Sequence, residues 1–145
     1  MSKKYNTAIL FLAALVLSIS ILALAESHTV KTSSDKFLGN YLVNQSNFTL
    51  YYFQNDSAAN GASTCYGECA ALWTPFYASD LSLPDNLRQI DFGMITRTTD
   101  GRKQTTFKSW PLYQYSKDIA PGFAKGNDID GIWHVIDPDN QPQLI

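Results

Sequence analysis

A short phrase occurs twice in this chain and restricts its fold more than any other feature. Residues 50–56 read Leu-Tyr-Tyr-Phe-Gln-Asn-Asp, and residues 112–118 read Leu-Tyr-Gln-Tyr-Ser-Lys-Asp. Both fit L-Y-x-[aromatic]-x-x-D, which sets Tyr51, Phe53 and Asp56 against Tyr113, Tyr115 and Asp118 at a constant offset of 62 residues. A motif repeated at fixed spacing marks one structural unit used in tandem. On a strand, side chains alternate faces. Tyr51 and Phe53 therefore share one face, as do Tyr113 and Tyr115, while Leu50 and Leu112 point the other way. Such a strand suits burial on both sides. Each aspartate falls where the strand should end, and its carboxylate can accept backbone N–H groups and close a turn. The same four polar groups allow a second reading, a site between the repeats. Two tyrosines and two aspartates are hard oxygen donors and would suit calcium. Turn closure already accounts for the aspartates, so the structural reading leads.

The N-terminus reads as an export signal. Lys3 and Lys4 precede an uncharged, mostly apolar run from Ala8 to Ala25, which closes on Ala23-Leu24-Ala25. Small residues at those positions fit signal-peptidase cleavage. An uncleaved anchor is the alternative, since about 18 apolar residues can just span a bilayer. Either way the domain is placed outside the cytoplasm, secreted or tethered to the outer face of the membrane. Removing residues 1–25 leaves nine basic and thirteen acidic residues, a net charge of −4. With no basic run and no aromatic–arginine alternation, nucleic acid is not an expected partner. The sequons at Asn44, Asn47 and Asn55 crowd around the first motif and put it near the surface if they carry glycans.

Between the ends the pattern is mainly β, a β-rich α+β domain of two tandem repeats of short antiparallel strands. Tyr41–Val43 and Phe48–Phe53 around a polar turn read as one hairpin. Gly93–Arg97 and Lys103–Phe107 around Asp100-Gly101 read as another. Pro111–Tyr115 and Ile132–Ile136 are two further strands. One short helix is expected over 63–73, capped by Ser63. The repeats span about 39–77 and 92–137, joined by residues 78–91. Polar residues 26–38 read as a flexible tether, and 138–145 as a frayed tail.

Cys65 and Cys69 are the only cysteines. In an exported chain a disulfide is the default, and residues four apart on a helical turn lie within bridging range. The alternative is an extracytoplasmic redox or metal-handling pair, which could hold copper with His134 as a third ligand. His134 lies between isoleucines on a strand and beside Trp133, and these two are the other candidate ligand contacts. Asn127-Asp128-Ile129-Asp130-Gly131 superficially resembles a calcium loop but lacks the full ligand set. No G-x-S-x-G, H-E-x-x-H or P-loop pattern occurs. No cofactor and no catalytic residue is assigned.

These features together resemble the secreted-repeat family of predicted lipoproteins, described by a Y-x-[F/W/Y]-x-x-D motif and without an established function. The resemblance runs from Asn47 through Asp56, Ser63–Cys69 and Leu72–Pro75 in the first copy. In the second it runs through Phe92–Arg97, Asp100-Gly101, Gln104, Ser109–Asp118, Pro121-Gly122 and Gly131–Val135. It thus covers nearly all of 39–137. Family members often carry a lipobox cysteine, which is absent here, and the second glycine-rich loop is acidic at 127–130. The resemblance implies export and repeat boundaries rather than a reaction. The expected function is a non-enzymatic binding or structural module that meets an extracellular ligand or envelope protein. Membrane contact would come only through an uncleaved N-terminal segment.

Overall fold

The computed structural model describes residues 27–144. The expected export signal over 1–25 lies outside the described residues, and no described helix is long and apolar enough to cross a membrane. Each repeat contributes a hairpin, a motif strand, a long connection and a closing strand. In the first repeat these are β1 (Val30–Asp35), β2 (Gly39–Asn44), β3 (Tyr51–Phe53) and β4 (Trp73–Pro75). The second supplies β5 (Phe92–Thr96), β6 (Lys103–Phe107), the short β7 (Trp110–Pro111), β8 (Tyr113–Tyr115) and β9 (Trp133–Val135). The strands form three antiparallel sheets, ordered β1-β2, β4-β8-β3-β9 and β5-β6-β7.

The four-stranded sheet carries the logic of the fold. Tyr51 and Tyr113, the equivalent tyrosines of the two motifs, are register partners across the antiparallel β3–β8 pair. Equivalent residues that pair with each other are related by a local two-fold axis, so that axis passes between them. The closing strands are exchanged. β4 of the first repeat pairs with β8 of the second, and β9 of the second pairs with β3 of the first. Repeats therefore alternate across the sheet. The alternation of side chains then divides the core in two. Tyr51, Phe53, Trp73, Tyr113, Tyr115 and Trp133 pack with Cys65 on one face. Leu50 and Leu112 pack on the other with Val30, Leu42, Phe76, Phe107 and Ile136.

The ends depart from the sequence expectation. Residues 30–35 are not a tether. They form β1, which pairs with β2 from Val30↔Asn44 to Asp35↔Gly39. Only Val30 is apolar in this strand and fully buried, and the remaining residues face partly outward, so composition hides the strand. Asp35 accepts the N–H groups of Phe37 and Leu38 and turns the hairpin. Repeat one thus begins near residue 30 rather than 39. Nor is 138–145 a frayed tail over its described part. Asp137 accepts the N–H groups of Asp139 and Asn140, bending the chain back. Pro142 then accepts from the Trp110 indole at 3.0 Å, and the Leu144 N–H reaches the Lys108 carbonyl at 2.9 Å.

The helix, α1 (Glu68–Leu72), is shorter than expected and starts at Gly67, not at Ser63. Gly67 has φ +56°, a left-handed value that resets the chain direction into the helix. Ser63 is instead buried and bonded to core groups. The expected strand 111–115 divides at Leu112, whose N–H bonds Thr105 while its carbonyl accepts from Phe76 N–H. Of the sequons, Asn44 uses its side-chain carbonyl to accept from Ser46 and Phe48, whereas Asn47 and Asn55 are exposed.

Candidate functional site

The motif residues meet at the two-fold axis, and they meet crosswise. Tyr51 of the first repeat donates to Asp118 Oδ2 of the second at 2.5 Å. Tyr113 of the second donates to Asp56 Oδ2 of the first at 2.7 Å. The remaining carboxylate oxygen closes its own repeat's turn. Asp56 Oδ1 accepts from the Thr64 N–H and hydroxyl at 2.7 and 2.6 Å, and Asp118 Oδ1 accepts from the Lys125 N–H at 2.9 Å. The turn-closing role read from the sequence therefore holds, and a second role joins it. The four groups are engaged in two separate tyrosine–aspartate bonds. Among the described residues no group of three or more His, Cys, Asp or Glu side chains is placed to hold a metal ion.

Burial sets the electrostatics. It raises the Tyr51 pKa, with the Asp118 bond and charge adding to it, and raises Tyr113, with the Asp56 charge adding. Both phenols stay neutral donors. Burial also lifts Asp56 and Asp118 above the ordinary 3.8 despite their hydrogen bonds. A protonated phenol locked on a buried carboxylate is not an available base.

The Asp56 side of the axis extends into a charged network that the sequence did not reveal. Arg97, whose side chain is wholly buried, donates through Nη1 to Ser63 Oγ at 2.6 Å and to Gln104 Oε1 at 3.0 Å. Its Nη2 donates to the Cys65 carbonyl at 2.6 Å, and its Nε to both Asp100 oxygens at 3.0 Å. Ser63 Oγ lies 2.8 Å from the Tyr113 hydroxyl. A guanidinium only donates and each hydroxyl carries one proton. With Tyr113 donating to Asp56, Ser63 must donate to Tyr113. The order is guanidinium, serine, tyrosine, carboxylate, which joins a buried cation to a buried anion through two hydroxyls. Such a cation is tolerated inside because each of its three nitrogens donates to an acceptor and one partner is a carboxylate. Asp100 is held down to about 2, first by Arg102 and then with help from Arg97. The legible hint was Arg97 three residues before Asp100 at the end of a strand; its burial had no sequence signal.

Beside the axis lies a four-ring stack. Phe53, Trp133, Trp73 and Tyr115 follow one another at centroid distances of 4.2, 3.8 and 4.3 Å, with the two tryptophans 2° from parallel. Trp133 is therefore a buried core residue. Cys65 and Cys69 form a disulfide with Cα atoms 5.3 Å apart. His134 pairs with Tyr52 across β3 and β9 and lies 5.4 Å from its ring. Tyr52 belongs to the leucine face, whereas Cys65 belongs to the aromatic face. The sulfurs are bonded to each other and His134 lies across the sheet from them, so these three residues do not form the copper set.

One open concavity of about 300 Å³ borders the Arg97 network, lined by Ser63, Tyr66 and Arg97; others lie away from the axis. Two open grooves, of about 330 and 230 Å³, share Tyr77, Ala78 and Ser79. The larger is bordered by Asn44, Gln45 and Asp80, the smaller by Leu81, Phe92 and Met94. Tyr77 stands between them with 42% of its surface exposed. No curated protein and no solved structure matches the chain. A sequence model of a secreted repeat of unknown function matches residues 32–77 and 94–137, one match per structural repeat. The crossed, two-repeat domain thus belongs to that family of secreted repeats.

Proposed function

We propose that this protein is a non-enzymatic, extracytoplasmic binding module. The observation that carries this reading is the fate of the motif's polar groups. Tyr51, Asp56, Tyr113 and Asp118 are all buried and bonded to one another or to backbone, so the repeated chemistry builds a scaffold. Recognition then falls to the exposed strip around Tyr77. An aromatic ring between a polar groove and a more apolar one suits an extended ligand crossing it, with the ring supplying rigid contact area. Whether the export segment is cleaved or retained, the strip faces the outside of the cell.

The test is a binding screen of the purified protein against displayed extended peptides and immobilised glycans. Ligands that bind it and lose binding on Tyr77→Ala, at unchanged melting temperature, support the reading. A catalytic turnover abolished by His134→Ala in a folded domain overturns it.

A further inference from the structure

We propose that the outer edge of β5 is a strand-pairing site, and that its partner is β5 of a second copy of this chain in antiparallel register about Met94. Sheet edges expose unpaired backbone groups, and proteins usually blunt them. The other edges here are blunted. Pro75 interrupts the short β4 and Pro111 lies in the two-residue β7. β9 is covered, because Asn127 accepts from the Val135 N–H and Asp128 donates to the Trp133 carbonyl. β1 carries Lys31 and Asp35. β5 has none of these devices. Its sequence, Phe-Gly-Met-Ile-Thr, contains no charge and no proline, and Gly93, Met94 and Thr96 are exposed.

The backbone parity shows which groups are free. Arg97 N–H bonds the Arg102 carbonyl and Lys108 N–H bonds the Asp91 carbonyl. In an antiparallel pair the bonded residues recur every second position, so Asp91, Gly93, Ile95 and Arg97 turn their backbone groups toward β6. Phe92, Met94 and Thr96 turn theirs outward. The Phe92 N–H is taken by the Gln89 carbonyl. That leaves the Phe92 carbonyl and both backbone groups of Met94 and Thr96. Among the described residues no backbone bond reaches them.

These groups are complementary to themselves. With Met94 opposite Met94 of the copy, the two residues exchange both bonds. Phe92 then lies opposite Thr96, whose N–H meets the one Phe92 group still free, its carbonyl. Gly93 faces Ile95 of the copy and leaves the space its side chain needs. Within Phe92–Thr96 the register brings no like charges together, because the strand carries none. Met94, 51% exposed, would be covered by its symmetry mate at the axis. A partner strand here is an isologous two-fold contact of the strand-addition type.

The experiment is sedimentation equilibrium of the purified protein over a roughly micromolar to millimolar range, as suits a small interface. The expected result is a mass that climbs from one chain toward two. Met94→Lys, which opposes two ammonium groups at the axis, should remain a single chain with unchanged melting temperature. Met94→Pro, which removes an outward N–H but no bond to β6, should do the same. Tyr77→Ala should associate like the parent, which separates this inference from the groove reading above. A parent that stays single throughout overturns the proposal. So do a Met94→Lys variant that pairs equally well and an uncharged extended peptide that occupies β5 while the protein stays single.

Discussion

Gly126 is the position where one added carbon would do most harm. A Cβ there would lie 2.8 Å from both Tyr51 Cζ and Trp73 Cη2, and neither ring can retreat from a packed core. The Gly126 N–H also donates to the Tyr51 hydroxyl at 3.2 Å. Overpacking of this kind costs about 1–3 kcal/mol, so Gly126→Ala should lower the urea midpoint by a corresponding amount. Asp118 gives a second, pH-resolved expectation. Burial raises its pKa in the folded protein above the ordinary 3.8, so between 3.8 and that raised value the folded state holds a proton that the unfolded state has released. Stability from this group is complete below 3.8 and is lost as pH rises through the raised value. The penalty of Asp118→Asn should therefore be larger in acid than at neutrality. A penalty that grows toward neutral pH in paired denaturation curves would contradict the assignment.

At the scale of elements, the connection from Asp56 to Trp73 is held by three devices: the Asp56 turn, the Arg97 bond to the Cys65 carbonyl, and the disulfide. The cross-link closes a loop with a sequence separation of 4, which in the chain-entropy model stabilises by about 2 kcal/mol. Reduction should lower the melting temperature while leaving the strand signal in far-ultraviolet dichroism intact. Loss of the whole fold on reduction would show that the bond does more than shorten a loop. The elements also show what could be read in advance. β5, β6 and both motif strands were legible because apolar alternation and an Asp-Gly turn are local signals. β1 was not, because a strand with one buried residue looks like a linker until its partner is known. Ser63 was misplaced for a related reason. A serine ahead of a helix resembles a cap in sequence, and only the approach of Tyr113 and Arg97 from the other repeat recruits it elsewhere.

For the whole molecule, the exchange of β4 and β9 makes each repeat incomplete. Its motif tyrosine lacks an acceptor, and its half of the four-ring stack lacks a partner. Residues 27–77 and 88–144 expressed separately should each remain unfolded, and mixing them should restore the tyrosine and tryptophan near-ultraviolet signal. A separately folded half would contradict the crossed bonding. The crossing itself was not legible. The 62-residue offset announces two copies, but periodicity cannot tell stacked copies from interlocked ones.

The alternation of repeats across one sheet also bears on life outside a cell. Two separate chains holding each other by exchanged strands would have a stability that depends on their concentration. Joining the copies through residues 78–91 makes the encounter intramolecular and its effective concentration constant. The duplication seen as a repeated phrase thus renders the assembly insensitive to dilution. It also frees the halves to diverge, with Arg97 and the disulfide serving one side of the axis while Gly126 and Lys125 serve the other.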